Sequence, residues 1–144
     1  MLLELAKKVH SFLEVAILFI LLLIVLYFIA RYLVGSTFSK ADRLVSLLGL
    51  FFMYMLLVFG LMIYYLSYSF SKNHFKYYME EGKLRMFILD QPVEIIIATV
   101  FINWAYLSGE RRKLSESQVY IRVVLLYIIG GCFVLYSIPW IHLF

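Results

Sequence analysis

Four long apolar blocks, separated by short polar connections, dominate the hydropathy pattern of the chain. The blocks span residues 12–33, 44–68, 86–107 and 119–140, and the first contains the uncharged run AILFILLLIVLYFIA. A hydrocarbon core about 30 Å thick is crossed by roughly 20 helical residues, so each block is long enough to span a bilayer. Backbone groups in lipid must find partners within their own segment, which favours helices over strands.

The connections between the blocks are short. They cover residues 34–43, 69–85 and 108–118, which leaves no room for a globular domain outside the membrane. Short connections between consecutive helices favour antiparallel neighbours. The pattern therefore predicts an all-α membrane protein, a four-transmembrane-helix up-down bundle in which residues 1–144 form one domain.

Composition supports a membrane solvent. Hydrophobic residues make up 65% of the chain and charged residues 15%, whereas a soluble domain has about 45–50% and about 25%. The net charge of +4 fits contact with anionic lipid headgroups and gives no reason to expect a nucleic acid partner.

Orientation follows from the lysines and arginines that flank the blocks. Six lie on the side of the two termini and seven on the other side, which is nearly a tie. The RRK cluster of the tight third connection and the tyrosines near the opposite ends favour termini outside the cytoplasm. We therefore expect a multi-pass protein of the bacterial inner membrane with both termini on the periplasmic side.

Ionisable residues occur where the first and third blocks begin. His10 and Glu14 are four residues apart, and so are Asp90 and Glu94, so each pair shares a helix face. The first and third helices of an antiparallel bundle run in the same direction, which places both pairs at the same level. The spacing predicts a buried polar cluster of Glu14, Asp90 and Glu94.

Two interpretations of this cluster remain open. Ionisable groups at membrane depth often face the bundle interior and mark an ion, proton or cofactor site. Alternatively, Pro92 occupies a first helical turn, Asp90 caps its amides and Glu94 complements the helix dipole. We expect Glu94 to lie inside the bundle or against a protein neighbour, with Glu14 or His10 nearby.

Small residues predict close helix packing. Gly130 and Gly131 precede Cys132 in the fourth block, and Gly49 and Gly60 lie in the second. Small side chains let a neighbouring helix approach closely in a membrane. A single cysteine forms no intrachain disulfide and no cysteine-based metal motif.

Four short motifs carry a resemblance to a known family. They are HSFLE from His10, YMLLVFGLMIYYLS in the second block, RMFILDQPVEIIIA in the third and SIPW at the end of the fourth. In this order the chain resembles the small four-helix cytochrome b-like membrane proteins of Bacteroidota. The resemblance covers nearly the whole chain and implies a membrane bundle that holds haem through histidines.

The departures from that family concern the haem ligands. By this register His10 is kept as a cofactor-binding residue, but Tyr54, Gln91 and Tyr120 stand where the family carries its other histidines. Bis-histidine haem sites need two imidazoles at the iron. The resemblance thus implies a member that keeps the bundle without its haem, so we expect no cofactor, with haem b as the alternative.

Three functions follow as hypotheses. The first is a non-catalytic membrane subunit or accessory protein, in contact with lipids and with other membrane protein subunits of a larger complex. The second is a redox protein that binds haem or quinone. The third is a small proton or ion conduit that uses Glu14, Asp90 and Glu94. No catalytic constellation or metal-spaced histidine pair is present in the sequence, so an enzyme is not expected.

Overall fold

The computed structural model describes residues 2–70, 91–110 and 115–138, and these residues form four helices. We number them α1 (Leu2–Val34), α2 (Lys40–Phe70), α3 (Gln91–Glu110) and α4 (Glu116–Ser137). Each is long and apolar enough to cross a membrane. The predicted all-α bundle of four membrane helices is confirmed.

Local capping signals explain where the helices begin and end. α1 begins at Leu2, ten residues before the apolar block, and ends in a Schellman motif: Gly35 has a φ of 71°, and the amide of Ser36 donates to the carbonyl of Arg31 at 3.2 Å. α4 begins at Glu116 because Ser115 and Gln118 form a capping box. The expected start of the third helix at Met86, its Asp90, and the end of the fourth at Trp140 lie outside the described residues.

Each helix packs against the helices that neighbour it in sequence, and α4 closes the bundle against α1. α1 and α3 therefore face each other diagonally, as do α2 and α4. The core between them is apolar and contains, among others, Ile17, Leu21, Phe28, Met53, Leu56, Ala98, Ile102, Val123 and Tyr127. All four helices also expose large apolar side chains outward, as expected of a surface that faces lipid.

The up-down arrangement gives the bundle two distinct ends. At the hairpin end, residues 35–39 connect α1 to α2, and α4 begins. At the terminal end α1 and α3 begin, and α2 and α4 finish. Each end contains a cluster of buried polar side chains.

Candidate functional site

At the hairpin end, four side chains, from α1, the α1–α2 connection and α4, converge on Asp42. We call Tyr27, Arg31, Ser39, Asp42 and Tyr120 the Asp42 cluster. Asp42 is fully buried in the first turn of α2. Ser39, which precedes α2, and Asp42 form a reciprocal cap: the Ser39 amide donates to Oδ2 at 2.8 Å, and the Asp42 amide donates to the Ser39 hydroxyl at 3.4 Å.

Arg31 binds the same carboxylate through two nitrogens. Its Nε donates to Oδ1 and its Nη2 to Oδ2, both at 3.0 Å. This bidentate geometry is the most favourable for an arginine–carboxylate pair. Arg31 lies in the last turn of α1, so the ion pair closes the α1–α2 hairpin.

Two tyrosines complete the coordination of Asp42. The Tyr27 hydroxyl donates to Oδ1 at 2.8 Å, and the Tyr120 hydroxyl of α4 lies 2.8 Å from Oδ2 and 3.1 Å from the carbonyl oxygen of Thr37. Every lone-pair direction of the carboxylate therefore faces a donor from the chain itself. A carboxylate with all its lone pairs occupied has no free position for a substrate or a metal. We therefore call the Asp42 cluster a structural joint, a set of contacts that holds α1, α2 and α4 together.

The connection between α1 and α2 is also held against α4. The amide of Phe38 donates to Oε2 of Glu116 at 2.6 Å. The Phe38 ring stacks on Phe28 and lies against Tyr120, and it covers Gly109, where a Cβ atom would meet the ring at 2.8 Å. Aromatic packing and hydrogen bonds together close the hairpin end.

At the terminal end, Glu14 is the central group. We call His10, Glu14 and Gln91 the Glu14 cluster. Glu14 has no exposed surface and His10 is 9% exposed. The amide nitrogen of Gln91 donates to Glu14 Oε1 at 2.6 Å, a hydrogen bond that joins the diagonal helices α1 and α3 through the centre of the bundle.

Two buried polar atoms of the Glu14 cluster have no hydrogen-bond partner among the described residues. His10 Nε2 lies 3.9 Å from Glu14 Oε1, too far for a hydrogen bond. These two buried atoms are Glu14 Oε2 and His10 Nδ1, which find no partner in the part of the chain that the structure describes. Buried polar atoms usually have a hydrogen-bond partner, so the unpartnered carboxyl oxygen of Glu14 requires an explanation.

The other two residues of the predicted polar cluster are Glu94 and Asp90. Glu94 is partly buried in the first turn of α3, at the same end of the bundle as Glu14. Asp90 lies outside the described residues. Gln91, expected only to replace a haem-ligating histidine, is the direct hydrogen-bond partner of Glu14. The sequence signal for this contact is its position one residue before Pro92, where the third helix is level with Glu14.

Sequence reasoning missed the Asp42 cluster. It counted Arg31 only as a flanking charge and did not consider Asp42. The Ser39-x-x-Asp42 spacing, a capping-box pattern, was the available signal for the start of α2. The ion pair with Arg31 and the tyrosine contacts follow only from the three-dimensional arrangement.

The predicted packing glycines fall into two groups. A Cβ atom at Gly49 would overlap the Tyr127 hydroxyl, one at Gly130 would lie 2.8 Å from Ile102 Cδ1, and one at Gly60 would lie 3.1 Å from His10 Nε2. These three glycines allow close contacts inside the bundle. Gly131 meets nothing within 4 Å and faces outward next to the exposed Cys132.

The four residues that the sequence resemblance assigns to haem positions do not fit a haem group. His10 Nε2 faces the backbone at Gly60, where even a methyl group would lie 3.1 Å away. Gln91 is bound to Glu14, Tyr54 is exposed on the outer surface, and Tyr120 contacts Asp42 at the opposite end. These four side chains do not converge on one metal position.

The two clusters are separated by apolar core. From Glu14 to Tyr27 the axis of α1 covers about 20 Å at ~1.5 Å per residue. The buried residues of α1 in this interval are Ile17, Leu21, Ile24 and Val25, and α2 contributes Leu50, Met53 and Leu56. α2, α3 and α4 also place the buried side chains of Ser46, Thr99 and Tyr127 in this interval, and the Thr99 and Tyr127 hydroxyls donate to backbone carbonyls. Within the described residues, none of these three side chains is hydrogen-bonded to a side chain of either cluster.

Comparisons with known proteins identify no relative. No protein-family model, curated protein or solved structure matches the chain. The functional interpretation therefore depends on the two polar clusters and the surface of the bundle.

Proposed function

We propose that the chain is a non-catalytic integral membrane subunit, which packs through α4 against another membrane protein of a larger complex. The observation that carries this proposal is the outward-facing backbone at Gly131, beside the exposed Cys132. The adjacent Gly130 is used inside the bundle, so Gly131 leaves a notch on the outer surface of α4. Small residues at such positions let two membrane helices approach closely.

The internal chemistry supports a structural role. The Asp42 carboxylate is saturated by donors of its own chain, and Glu14 is tied to Gln91. The apolar core between the clusters argues against the conduit hypothesis. The arrangement of His10, Tyr54, Gln91 and Tyr120 argues against the haem hypothesis.

The test uses purification in mild detergent from the membranes that naturally contain the protein. We expect defined subunits to co-purify with the wild-type chain and to be lost in Gly131→Leu, because the larger side chain fills the notch. Val58→Leu, an exposed substitution on α2, is the control and retains the subunits. A stable lone monomer in the wild-type preparation would refute the proposal.

The same preparation distinguishes the alternatives. A stoichiometric b-type absorption spectrum would favour the haem protein, and His10→Ala would then be the first substitution to make. Proton flux into liposomes that contain the pure protein would favour the conduit. We expect neither signal.

We place the bundle in a bacterial inner membrane with both termini on the periplasmic side. The supporting observations are the four apolar helices and the RRK cluster at residues 111–113. Reporter fusions at residues 1 and 144 test the orientation. Reporters on opposite sides, or both in the cytoplasm, would contradict it.

A further inference from the structure

The Glu14 cluster contains a buried carboxyl group for which two charge states are conceivable. In the first, an ionised Glu14 pairs with a positively charged His10. In the second, both groups are neutral and Glu14 carries a proton. The positions of the surrounding atoms discriminate between them.

An ion pair at this depth would require short contacts and full coordination. Charge-assisted nitrogen–oxygen hydrogen bonds are about 2.7–2.9 Å long, whereas His10 Nε2 and Glu14 Oε1 are 3.9 Å apart. Buried ions are stabilised only when further hydrogen bonds satisfy their remaining lone pairs and protons. Glu14 Oε2 and His10 Nδ1 have no such bonds.

The Asp42 cluster shows how this fold holds an ionised carboxylate. There an arginine, two tyrosines and a backbone amide surround the two oxygens. From the described residues Glu14 receives one hydrogen bond, and its donor is a neutral amide. Glu94, in the first turn of α3 at the same end of the bundle, is a second carboxyl group and supplies no positive charge to Glu14.

Within residues 40–70, 91–110 and 116–137, the other helices place no buried cation at the terminal end of the bundle. The buried residues that α2 and α4 contribute at the terminal end, Ile63, Val134 and Ser137 among them, are not titratable, and those of α3 include Gln91 and Ile95. In the described residues, the titratable groups closest to Glu14 in the fold are His10 and Glu94, whereas Lys7 and Lys8 of α1 are exposed.

We propose that Glu14 is a reversible proton-binding site, and that its protonated carboxyl group, bound to Gln91, is a latch between α1 and α3 at the terminal end. The proton resides on the unpartnered Oε2, while Oε1 accepts from Gln91. Loss of the proton leaves a buried anion with a single neutral donor, which weakens the attachment of α3 to α1. This inference goes beyond the proposed subunit role and does not depend on it.

A hydrophobic carbodiimide provides the first test, applied to the full-length protein in detergent. The carboxyl proton moves to a carbodiimide nitrogen as the carboxyl oxygen bonds to the central carbon, so a protonated acid in an apolar site reacts. We expect the label on Glu14 at neutral pH, mapped by mass spectrometry, and its loss in alkaline buffer. Glu4→Gln, an exposed position on the same helix, leaves the label unchanged, and Glu14→Gln removes it.

Infrared spectroscopy provides a readout that does not require the reagent to enter the bundle. We expect the carbonyl stretching band of a protonated carboxylic acid at neutral pH, and its absence in Glu14→Gln. His10→Gln separates the two charge states: the band is unchanged if both groups are neutral, and it first appears in the variant if a charged His10 holds Glu14 ionised. A wild-type protein with neither the label nor the band at Glu14 would overturn the proposal, whatever the outcome of the Gly131 experiment.

Discussion

The two ends of the bundle solve the problem of a buried carboxyl group in opposite ways. At the hairpin end, Asp42 is surrounded by charged and neutral hydrogen-bond donors, including Nε and Nη2 of Arg31. At the terminal end, Glu14 has one neutral donor and an oxygen without a partner. Burial alone therefore does not make a carboxyl group functional. Asp42 has a hydrogen-bond donor at every lone pair and holds the helices together, whereas the incomplete hydrogen bonding of Glu14 is the basis of the proposed proton exchange.

The largest expected effect comes from the saturated end. Asp42→Asn keeps the size of the side chain but leaves Arg31 without its counterion and replaces an acceptor oxygen by an amide. Breaking a fully buried pair costs about 3–5 kcal/mol, and because the Arg31 side chain is 31% exposed we expect a loss at the lower end of that range. We expect the free energy of unfolding, measured in mixed detergent micelles by circular dichroism, to fall by this amount. Glu110→Gln, at an exposed position, is the control, and a loss as small as that of the control would contradict a structural joint.

A smaller effect is expected when one donor is removed. Tyr120→Phe deletes the hydroxyl that lies 2.8 Å from Asp42 Oδ2. Hydrogen bonds to charged groups contribute about 1.5–3 kcal/mol, so the same unfolding assay should show a loss in that range. The loss should fall sharply in an Asp42→Asn background, because the two side chains act through one contact. Additive losses would show that Tyr120 acts independently of Asp42.

Substitutions at two glycines compare how tightly the bundle is packed around Tyr127 and around His10 at the terminal end. Gly49→Ala directs a methyl group at the Tyr127 hydroxyl, which donates to the Ser46 carbonyl at 2.9 Å. Overpacking of this kind costs about 1–3 kcal/mol. Gly60→Ala meets only the imidazole of His10, a side chain that can turn at a cost of about 0.5–1.5 kcal/mol.

The reference for both glycine variants is Gly131→Ala, which adds the same methyl group in open space. All three variants share the higher helix propensity of alanine, so differences in unfolding free energy report packing. We expect Gly49→Ala to be the least stable of the three. Equal stabilities of Gly49→Ala and Gly60→Ala would remove the distinction between the two ends.

The smallest effect is expected for Glu14→Gln. The glutamine side chain has the shape of a protonated carboxyl group and can accept the hydrogen bond from Gln91, so the unfolding free energy at neutral pH should change by less than about 1 kcal/mol. Glu14→Leu, which leaves the Gln91 amide unpaired, should cost about 1–3 kcal/mol. If Glu14→Gln were as damaging as Asp42→Asn, Glu14 would be an ionised partner in a salt bridge.

The sequence alone determined the membrane class, the number of helices and their up-down order, because the length of an apolar block is set by bilayer thickness and is a local property. It also identified His10 and Glu14 as neighbours on one helix face, since a spacing of four fixes that relation. It did not separate the roles of Gly130 and Gly131, because adjacent residues differ by about 100° around a helix and only the bundle decides which one faces inward.

Only the tertiary structure decided the chemistry of the two ends. Arg31 and Asp42 lie on different helices, and Tyr120 is far from both in sequence, so nothing local indicates that the three side chains meet at one carboxylate. The contact of Gln91 with Glu14 likewise depends on the diagonal placement of α1 and α3. Helix periodicity depends on residues that are neighbours in sequence, so it can be predicted from the sequence. The hydrogen bonding of a buried charge depends on which distant side chains the bundle brings within hydrogen-bonding distance.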